Sequence, residues 1–470
     1  MKLQPHQESV LAKGDRPFAL HGTGTGKTLT SLKFIERSMQ DHPDKPVVLV
    51  TSSALKDNLS KEKDKHGIDI DMSKVLTVTH EGMSRPNISK AVRDTLKSGG
   101  TLVLDEIHKM RNPDSKGYLN TLEASKTANK VLGLTGTAIV NNVDDLSNLY
   151  NLVQGNRDSN VSPFLTERDE NLSLIDRIRG VKPKVKYEIS DASGLKDMFT
   201  SLDIYYPPKN HPSMPLVTSR IEEVEMPRDQ ILGYTTAEDQ AIRGRSDIAT
   251  LARKIRSGQK LTATEEARSN AFASQTSQAA ISSAKHMPGK PVSSGKLDKA
   301  VTDLIKHRED NPLHRGVIYS NKIGAGLEPL VQRLSERGLG DYIQVVQGST
   351  NKSDVKGIVE NYNSGAKPIL VISDSGAEGL DLKGTRTIQV LNPHFNDGKI
   401  KQAVGRGARL GSHLHLPKED RQVDVVHYHS VLPKKYFGIL GSRDRTIDQS
   451  MHEMTETKAS KRDAVISVLQ

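Results

Sequence analysis

The chain of 470 residues contains no cysteine and no tryptophan. Without cysteine it can form neither a disulfide nor a thiolate metal site, which is typical of proteins from a reducing compartment. Aromatic residues make up only 4% of the chain, so its cores must be built mainly from Leu, Ile, Val and Ala. No stretch approaches the roughly 18 apolar residues of a membrane span, and the first residues lack the apolar core of a signal peptide. We therefore expect a cytoplasmic protein.

Basic residues outnumber acidic ones, with 67 Lys and Arg against 57 Asp and Glu, for a net charge of +10. Such an excess favours a polyanionic partner, although it also serves solubility alone. The length predicts two to four compact units, each large enough for its own buried core.

Short apolar runs recur along the first third of the chain, separated by amphipathic segments such as residues 31–39. The runs occupy residues 47–50, 75–78, 102–104 and 131–134. Continuous apolar runs of this length are typical of parallel strands that are buried on both faces. The pattern predicts one α/β domain, a doubly wound parallel sheet, over residues 1–155.

A second set of runs predicts a second α/β domain over residues 294–430. These runs occupy residues 316–319, 343–346, 369–372, 387–391 and 423–426. Between the two sets, residues 156–293 hold several prolines and then a stretch rich in Ala, Ser, Gln and Arg. We interpret them as an inserted region, loop-rich and then helical and exposed. Residues 431–470 are predicted to form a helical tail.

The segment HGTGTGKT, residues 21–28, has the composition of a phosphate-binding loop. Glycines such as Gly24 and Gly26 let successive backbone N–H groups face phosphate oxygens, and the following helix adds its positive end. Lys27 would neutralise the β- and γ-phosphates, and the Thr28 hydroxyl would bind Mg²⁺. His21 stands where the strict pattern has glycine. The alternative, a glycine-rich hairpin, must also explain the strand before the loop and the helix after it.

Asp105 and Glu106 follow the apolar run 102–104, so both carboxylates are predicted at the carboxyl end of a buried strand. There Asp105 would hold Mg²⁺ through water, and Glu106 would orient and deprotonate the attacking water. An isolated Asp-Glu pair is more often a solvated surface feature, but its place after a buried strand favours the functional interpretation. His108 would either link this site to the second domain or satisfy a local hydrogen bond.

Arg406 and Arg409 lie three residues apart and would share one face of a helix, with Gln402 one turn earlier. A guanidinium that reaches the γ-phosphate stabilises the charge that develops during hydrolysis. The alternative is an ordinary basic helix exposed to solvent. The arginines complete the expected parts of a nucleoside triphosphate hydrolase.

In their order along the chain, these motifs resemble those of superfamily 2 helicase-type ATPases, in particular the Swi/Snf-like translocases and their small phage and poxvirus relatives. The resemblance implies two RecA-like domains with a largely helical insertion and a C-terminal helical brace. It implies ATP and Mg²⁺ as cofactors, with hydrolysis in the cleft between the domains. The expected partner is DNA, single-stranded, forked or branched, and the expected motor is monomeric and, if viral, acts in the host cytoplasm.

The resemblance also assigns further residues. Gln7 matches the glutamine that reads adenine, and Thr135 and Thr137 match the motif that, with His108, couples ATP turnover to movement. Gly379 and Asp381 match a motif near the nucleotide, where Glu378 departs from the usual Arg or Gly. Gly379, Asp381 and Gln402 are assigned to nucleotide binding. Residues 294–297 resemble the entry into the second motor domain.

Nucleic-acid contacts are predicted mainly to the phosphates of one strand. The candidate residues are Thr51, Ser52, Lys56, Ser320, Lys322, Ser349 and Thr350. The stretch from Tyr205 to Lys209 invites a further hypothesis, in which stiff aromatic residues wedge between separating strands. Its alternative is a polyproline-like connector.

The motifs predict an ATP-dependent DNA helicase or translocase. An RNA-directed or RNA-polymerase-associated ATPase is the main alternative, since poxvirus relatives of this motor work beside RNA polymerase. A nucleic-acid clamp that uses nucleotide only as a switch is a third possibility, against which Glu106 and the two arginines argue.

Overall fold

The structure is a computed structural model. It describes residues 3–22, 24–140, 142–169, 185–208, 211–257, 259, 261–287, 289–374, 376, 380–394, 398–433 and 445–470. The chain divides into two compact units, which we call the first unit (Met1–Pro208 and Thr457–Gln470) and the second unit (Lys209–Glu456). Within the described ranges, no helix is both long and apolar enough to cross a membrane.

The first unit is an α/β layer structure around a parallel sheet. Its strands are β1 (Phe18–His21), β2 (Val47–Thr51), β3 (Val75–Thr79), β4 (Thr101–Asp105), β5 (Lys130–Thr135), β6 (Leu165–Asp169), β7 (Val185–Ile189) and β8 (Leu202–Tyr205). Its helices are α1 (Pro5–Leu11), α2 (Lys27–Asp41), α3 (Ser53–His66), α4 (Pro86–Leu96), α5 (Lys116–Thr127), α6 (Asp144–Gln154) and α7 (Ala192–Met198). The sheet order is β3-β2-β4-β5-β1-β8, all parallel, while β6 and β7 pair as a separate antiparallel hairpin. The apolar runs of the first predicted domain are thus confirmed as strands β2 to β5.

Alternate residues of these strands enter two different cores, one on each face of the sheet. In β4, Val103 packs into the core that includes α2, whereas Leu102 and Leu104 pack into the core on the other face. Gly133 of β5 is required by this packing, because a Cβ there would lie only 2.4 Å from Cγ2 of Val153 on α6. The sheet is therefore doubly wound, as its sequence pattern predicts.

The second unit contains another parallel sheet. Its strands are β9 (Leu216–Glu225), β10 (Gly316–Tyr319), β11 (Ile343–Val346), β12 (Ile369–Ile372), β13 (Thr387–Val390) and β14 (Gln422–Val431). The helices are α8 (Arg228–Ile242), α9 (Ser246–Ser257), α10 (Ala263–Ile281), α11 (Gly295–Asp310), α12 (Glu328–Glu336), α13 (Lys352–Ser364), α14 (Gly398–Gly407) and the first part of α15 (Ile447–Leu469). The strand order is β11-β12-β10-β13-β14-β9. The apolar runs of the second predicted domain are confirmed as strands β10 to β14, and β9 joins their sheet from outside the predicted bounds.

A fully buried ion pair ties α15 to the rest of the second unit. The amine of Lys296 on α11 donates a hydrogen bond to the carboxylate of Asp448, and both side chains are 0% exposed. The backbone N–H of Ser430 donates to the same carboxylate over 2.9 Å. Burial lowers the pKa of Lys296, and the charge of Asp448 opposes that shift.

The structure differs from the predicted insertion over residues 156–293. Strand β8 extends the first sheet beside β1, and β9 pairs with β14 along its whole length in the second sheet. The loop-rich interpretation of the first part of this segment is wrong, because edge strands with one neighbour carry polar residues and show no continuous apolar run.

The helical prediction for the later part of the segment is confirmed, but its exposure is not. Helices α8 to α10 pack around a core of their own, which includes Ile231, Tyr234 and Phe272 together with Ile447 and Met451 of α15. At the other end of α15, residues from Thr457 onward belong to the first unit, where Val465 is fully buried in the core. Part of the predicted tail, residues 434–444, lies outside the described residues.

Candidate nucleotide site

The predicted phosphate loop joins β1, which ends at His21, to α2, which begins at Lys27. Gly24 and Gly26 adopt left-handed backbone conformations, with φ of +80° and +79°, that favour glycine. Both glycines are exposed, and Thr25 Oγ1 closes the turn by donating to the carbonyl of Gly22 over 2.8 Å. The loop therefore presents its backbone at the N-terminus of a long helix, where anions bind.

The amine of Lys27 lies within this loop. It donates to the carbonyl oxygens of His21 and Gly22, both at 3.1 Å. Thr28 follows in the first turn of α2 and is half-buried. Both side chains are placed where the sequence predicts them, at the helix end that would face a phosphate group.

Gln7, which the resemblance assigns to adenine, contacts the phosphate loop. Its side-chain amide donates to the carbonyl oxygens of Gly26 (3.1 Å) and Thr25 (3.4 Å). Its carbonyl oxygen accepts from the backbone of Gln4 over 3.0 Å. A Cβ at Gly26 would lie 2.6 Å from the Gln7 amide nitrogen and would displace that side chain, while the positive φ of Gly26 itself favours glycine. The adenine role of Gln7 stays a prediction.

Asp105 ends the central strand β4 and is buried. Burial, together with the charge of Glu106, raises the pKa of the Asp105 carboxyl to about 6. Hydrogen bonding by the Thr51 hydroxyl, at 2.9 Å from Oδ2, and the charge of Lys27 oppose this shift. Thr51 is fully buried, so its predicted contact with nucleic acid is wrong: the end of β2 supports the carboxylate instead.

Glu106 is the one described non-glycine residue with a positive φ, +47°. Such a conformation costs of the order of 1–3 kcal/mol and clusters at functional sites. His108 Nδ1 lies 3.2 Å from a carboxylate oxygen of Glu106 and 2.9 Å from the Thr135 hydroxyl. That hydroxyl accepts from the backbone N–H of Thr137 over 3.1 Å. The structure thus places the predicted base beside His108 and joins His108 to the predicted coupling residues by hydrogen bonds.

The donor set fits a magnesium ion that is bound together with a nucleotide. Asp105 and Thr28 offer the hard oxygen ligands that Mg²⁺ prefers, and a cation would offset the cost of ionising the buried Asp105 carboxyl. No cluster of three or more His, Asp or Glu that could hold a metal by itself occurs in the described part of the chain. Phosphate oxygens and water would complete the coordination.

In the second unit, α14 ends at Gly407, so Arg406 lies in its last turn and Arg409 lies beyond it. Arg409 donates from Nε to the carbonyl of Gly405 over 3.1 Å, and its guanidinium lies 3.6 Å from Asp381. Burial, together with the charge of Arg406, lowers the pKa of Arg409 to about 10. Gln402 is half-buried on the same helix. Gly379 and Glu378 lie outside the described residues.

Two of the nucleic-acid candidates of the second unit, Ser320 and Lys322, lie close together in sequence but differ in their surroundings. Ser320 is fully buried and donates to Asn392 Oδ1 over 2.9 Å, so its predicted contact with nucleic acid is wrong. Lys322, by contrast, lines a cavity of about 230 Å³ beyond the ends of β10 and β13, with Asn321, Asn392 and His394. Burial and the nearby Lys285 lower the pKa of Lys322.

The remaining candidates lie nearer the surface. Ser349 is exposed, and Thr350 is half-buried and accepts a hydrogen bond from the backbone of Gln347. In the first unit, Lys56 is exposed on α3 and Ser52 is half-buried before it. Their contacts with nucleic acid stay predictions.

Two parallel α/β units, a phosphate loop and a buried carboxylate at the end of a neighbouring strand define a nucleic-acid-dependent ATPase of the helicase type. The sequence profiles agree. The SNF2-related domain matches residues 71–190, and the helicase conserved C-terminal domain matches residues 296–411. Both matches agree with the resemblance of the motifs to superfamily 2 helicases of the Swi/Snf-like group.

Viral proteins are among its relatives. A protein of Acanthamoeba polyphaga mimivirus, named as an ATP-dependent RNA helicase, is 28% identical over 93% of this chain and 91% of its own length. A termination factor NPH-I homolog of African swine fever virus is 36% identical over 22% of this chain and 15% of its own. Nucleoside triphosphatase I of Choristoneura biennis entomopoxvirus is 30% identical over 24% of this chain and 16% of its own.

Two solved structures resemble the chain over most of its length. The SWI2/SNF2 ATPase core of Sulfolobus solfataricus, solved in complex with dsDNA, covers 92% of this chain and 88% of its own, with 17% identity and a TM-score of 0.36. The Hef helicase domain of Pyrococcus furiosus covers 91% of this chain and 95% of its own, with 14% identity and a TM-score of 0.46.

Proposed function

We propose that this protein is an ATP-dependent DNA translocase or helicase. One observation carries the proposal: the phosphate loop and the Asp105 and Glu106 carboxylates all lie at the carboxyl ends of the strands of the first sheet. DNA as the track is what the resemblance of the motifs to Swi/Snf-like translocases implies, and the SNF2-related profile over residues 71–190 is consistent with that resemblance. The mimivirus relative that spans 93% of the chain is named as an RNA helicase, which makes an RNA-directed ATPase the second candidate.

Hydrolysis would use groups already in place around the loop. Lys27 and the loop N–H groups would bind the β- and γ-phosphates, and Thr28 and Asp105 would hold Mg²⁺ against them. The ion would neutralise phosphate charge. Glu106 would orient the attacking water and take its proton, with His108 fixing the direction of the carboxylate.

The two arginines of the second unit would supply positive charge to the γ-phosphate during hydrolysis. Arg409 is restrained by Gly405 and Asp381, which leaves its guanidinium in a defined position. Arg406 is the neighbouring cation. Gln402 and Asp381 are proposed as further nucleotide contacts.

The cavity around Lys322 is a suitable site for a phosphate of the nucleic-acid backbone. It lies beyond the carboxyl ends of β10 and β13, where the strand order of the second sheet reverses, and such crevices are the usual ligand sites of parallel sheets. The charges of Lys322, which lines the cavity, and of the nearby Lys285 fit a backbone phosphate and carry no base specificity.

The test is the rate of ATP hydrolysis with single-stranded DNA, duplex DNA and RNA, together with strand displacement on forked and four-way substrates. Stimulation by DNA with displacement indicates a helicase, and stimulation by duplex DNA without displacement indicates a translocase. A clear preference for RNA would favour the second candidate. Lys27→Ala and Glu106→Gln should abolish turnover in every case, and turnover that survives in either variant would contradict the proposed site.

A further inference from the structure

Strand β8 lies beside the phosphate loop, although it falls outside both profile matches. It pairs with β1 in parallel, with His21 opposite Tyr205, and the N–H of Gly22 donates to the Tyr205 carbonyl over 2.8 Å. The two strands therefore share their hydrogen bonds up to the first residues of the loop.

Asp203 of β8 holds two side chains from the elements around that loop. One carboxylate oxygen lies 2.8 Å from Nε2 of His21, and the other accepts from the Ser9 hydroxyl over 2.5 Å. Ser9 belongs to α1, the helix that also carries Gln7. One carboxylate thus joins β8, the start of the loop and the helix whose glutamine contacts the loop.

Aromatic contacts strengthen the same arrangement. The ring of His6 stacks on that of Tyr205 with centroids 3.9 Å apart, and His6 Nε2 lies 3.0 Å from the carbonyl of Thr25. We name His6, Ser9, His21, Asp203 and Tyr205 the loop-support cluster.

The contact with Asp203 restrains the buried His21 ring. The His21 side chain is fully buried, and its Nδ1 has no hydrogen-bond partner among the described residues, so Asp203 provides the hydrogen bond of the ring. Burial alone would raise the pKa of Asp203, yet hydrogen bonds from His21 and Ser9 hold that pKa below its usual value. The carboxylate is therefore ionised at neutral pH and is a strong acceptor.

The position of His21 matters because its backbone carbonyl accepts a hydrogen bond from Lys27. A shift of the His21 ring would move this carbonyl and the first turn of the loop. The contact between Asp203 and His21 is thus linked, through the His21 carbonyl, to the Lys27 amine that would bind phosphate.

We propose that Asp203 is a positioning residue for nucleotide binding, which acts through His21 to hold the phosphate loop in its binding conformation. The inference rests on the proposed function, since it assumes that the loop binds ATP. It assigns a role to a strand that no sequence motif marks. A histidine at the first position of the loop, in place of glycine, is then a consequence of this side support.

The experiment measures KM and kcat for ATP, the Kd of a fluorescent ATP analogue and the thermal midpoint of the full chain. Asp203→Ala should raise KM and Kd about tenfold, the effect expected from one lost hydrogen bond to a charged group, and should change kcat by less than about twofold. Asp203→Asn keeps an acceptor for His21 and should restore part of the affinity. Asp424→Asn, which removes a carboxylate paired with Arg220 on the second sheet, is the matched control and should leave KM unchanged.

A double-mutant cycle tests the route through His21. In a His21→Ala background, Asp203→Ala should raise KM by less than about twofold, because the contact it removes is already gone. A lower thermal midpoint with unchanged KM and Kd would overturn the inference and leave Asp203 a structural role. If Lys27→Ala retains turnover, the proposed function fails; if Lys27→Ala is inactive and Asp203→Ala binds ATP normally, only this inference fails.

Discussion

The Thr51 hydroxyl donates a hydrogen bond to the Asp105 carboxylate, from the end of the strand next to β4. A hydroxyl at the end of a strand is ambiguous in the sequence, because the same residue type can contact a ligand or support a neighbouring carboxylate. In this protein the Thr51 hydroxyl supports the carboxylate of Asp105. Burial and the charge of Glu106 raise the pKa of Asp105, whereas the Thr51 hydrogen bond and the charge of Lys27 lower it.

Asp105→Asn should stabilise the ligand-free protein at neutral pH. The pKa of Asp105 is about 6 in the folded state against 3.8 as the ordinary value. The folded state thus binds more protons than the unfolded state between these values, and the free energy of unfolding falls as the pH rises through this range. Thermal unfolding at pH 7.5 should show a gain of roughly 1–3 kcal/mol for the variant, and no gain near pH 3.5. Equal stability at pH 7.5 would contradict the assigned pKa.

Thr51→Val should shift the acidic side of the activity profile to higher pH. The substitution removes the hydrogen bond that lowers the pKa of Asp105, so the carboxylate ionises at higher pH and metal binding needs a less acidic solution. The dependence of kcat/KM on pH, measured at fixed Mg²⁺, would show the shift. Thr51→Ser retains the hydroxyl and should follow the wild type.

His108→Ala should lower kcat about tenfold with little change in KM. His108 lies between Glu106 and the Thr135 hydroxyl, so its loss frees the predicted base without touching the phosphate loop. Steady-state ATP hydrolysis checks the result. His66→Ala, which removes a half-buried histidine beside Glu62 and away from the loop, is the matched control. An unchanged kcat would remove His108 from the proposed mechanism.

Lys322→Ala should weaken nucleic-acid binding equally for all sequences. If Lys322 contacts one phosphate, the slope of log K against log salt concentration should decrease in magnitude by about one. Binding titrations at several salt concentrations provide the measurement. Lys356→Ala, in an exposed pair with Glu360, serves as the control that should leave the slope unchanged. A change that depends on sequence would argue against a backbone contact.

Lys296→Met should destabilise the second unit by about 3–5 kcal/mol, because it leaves the Asp448 carboxylate buried without its cation. Adding Asp448→Asn should recover part of the loss. Hydrogen exchange of peptides from β14, read by mass spectrometry, would locate the effect in this unit. Lys299→Met, which removes a half-exposed pair with Asp303, should cost far less.

The central strands could be predicted because each is a run of Val, Leu or Ile that is buried on both faces. Edge strands β8 and β9 could not: β8 is only four residues long and Asp203 interrupts its apolar residues, while β9 carries exposed Thr, Ser, Arg and Glu. The first part of residues 156–293 therefore contains no continuous apolar run that would indicate these strands.

The site divides in the same way. Short motifs, such as the loop around Lys27 and the Asp105-Glu106 pair, can be recognised in the sequence because their chemistry requires residues at a fixed local spacing. Contacts between distant residues leave no local pattern: Asp203 lies 182 residues from His21, and Asp448 lies 152 from Lys296. The burial of Thr51 and Ser320 is likewise a property of the assembled sheets.

The first unit is built from two separated stretches of sequence, since Val465 fills its core beside residues from the first half of the chain. During synthesis the core of the phosphate-binding half is incomplete until the helix around Val465 has emerged from the ribosome. ATP-binding competence should therefore be acquired late in translation, and a fragment that ends at residue 208 should need the α15 peptide in trans to become fully ordered.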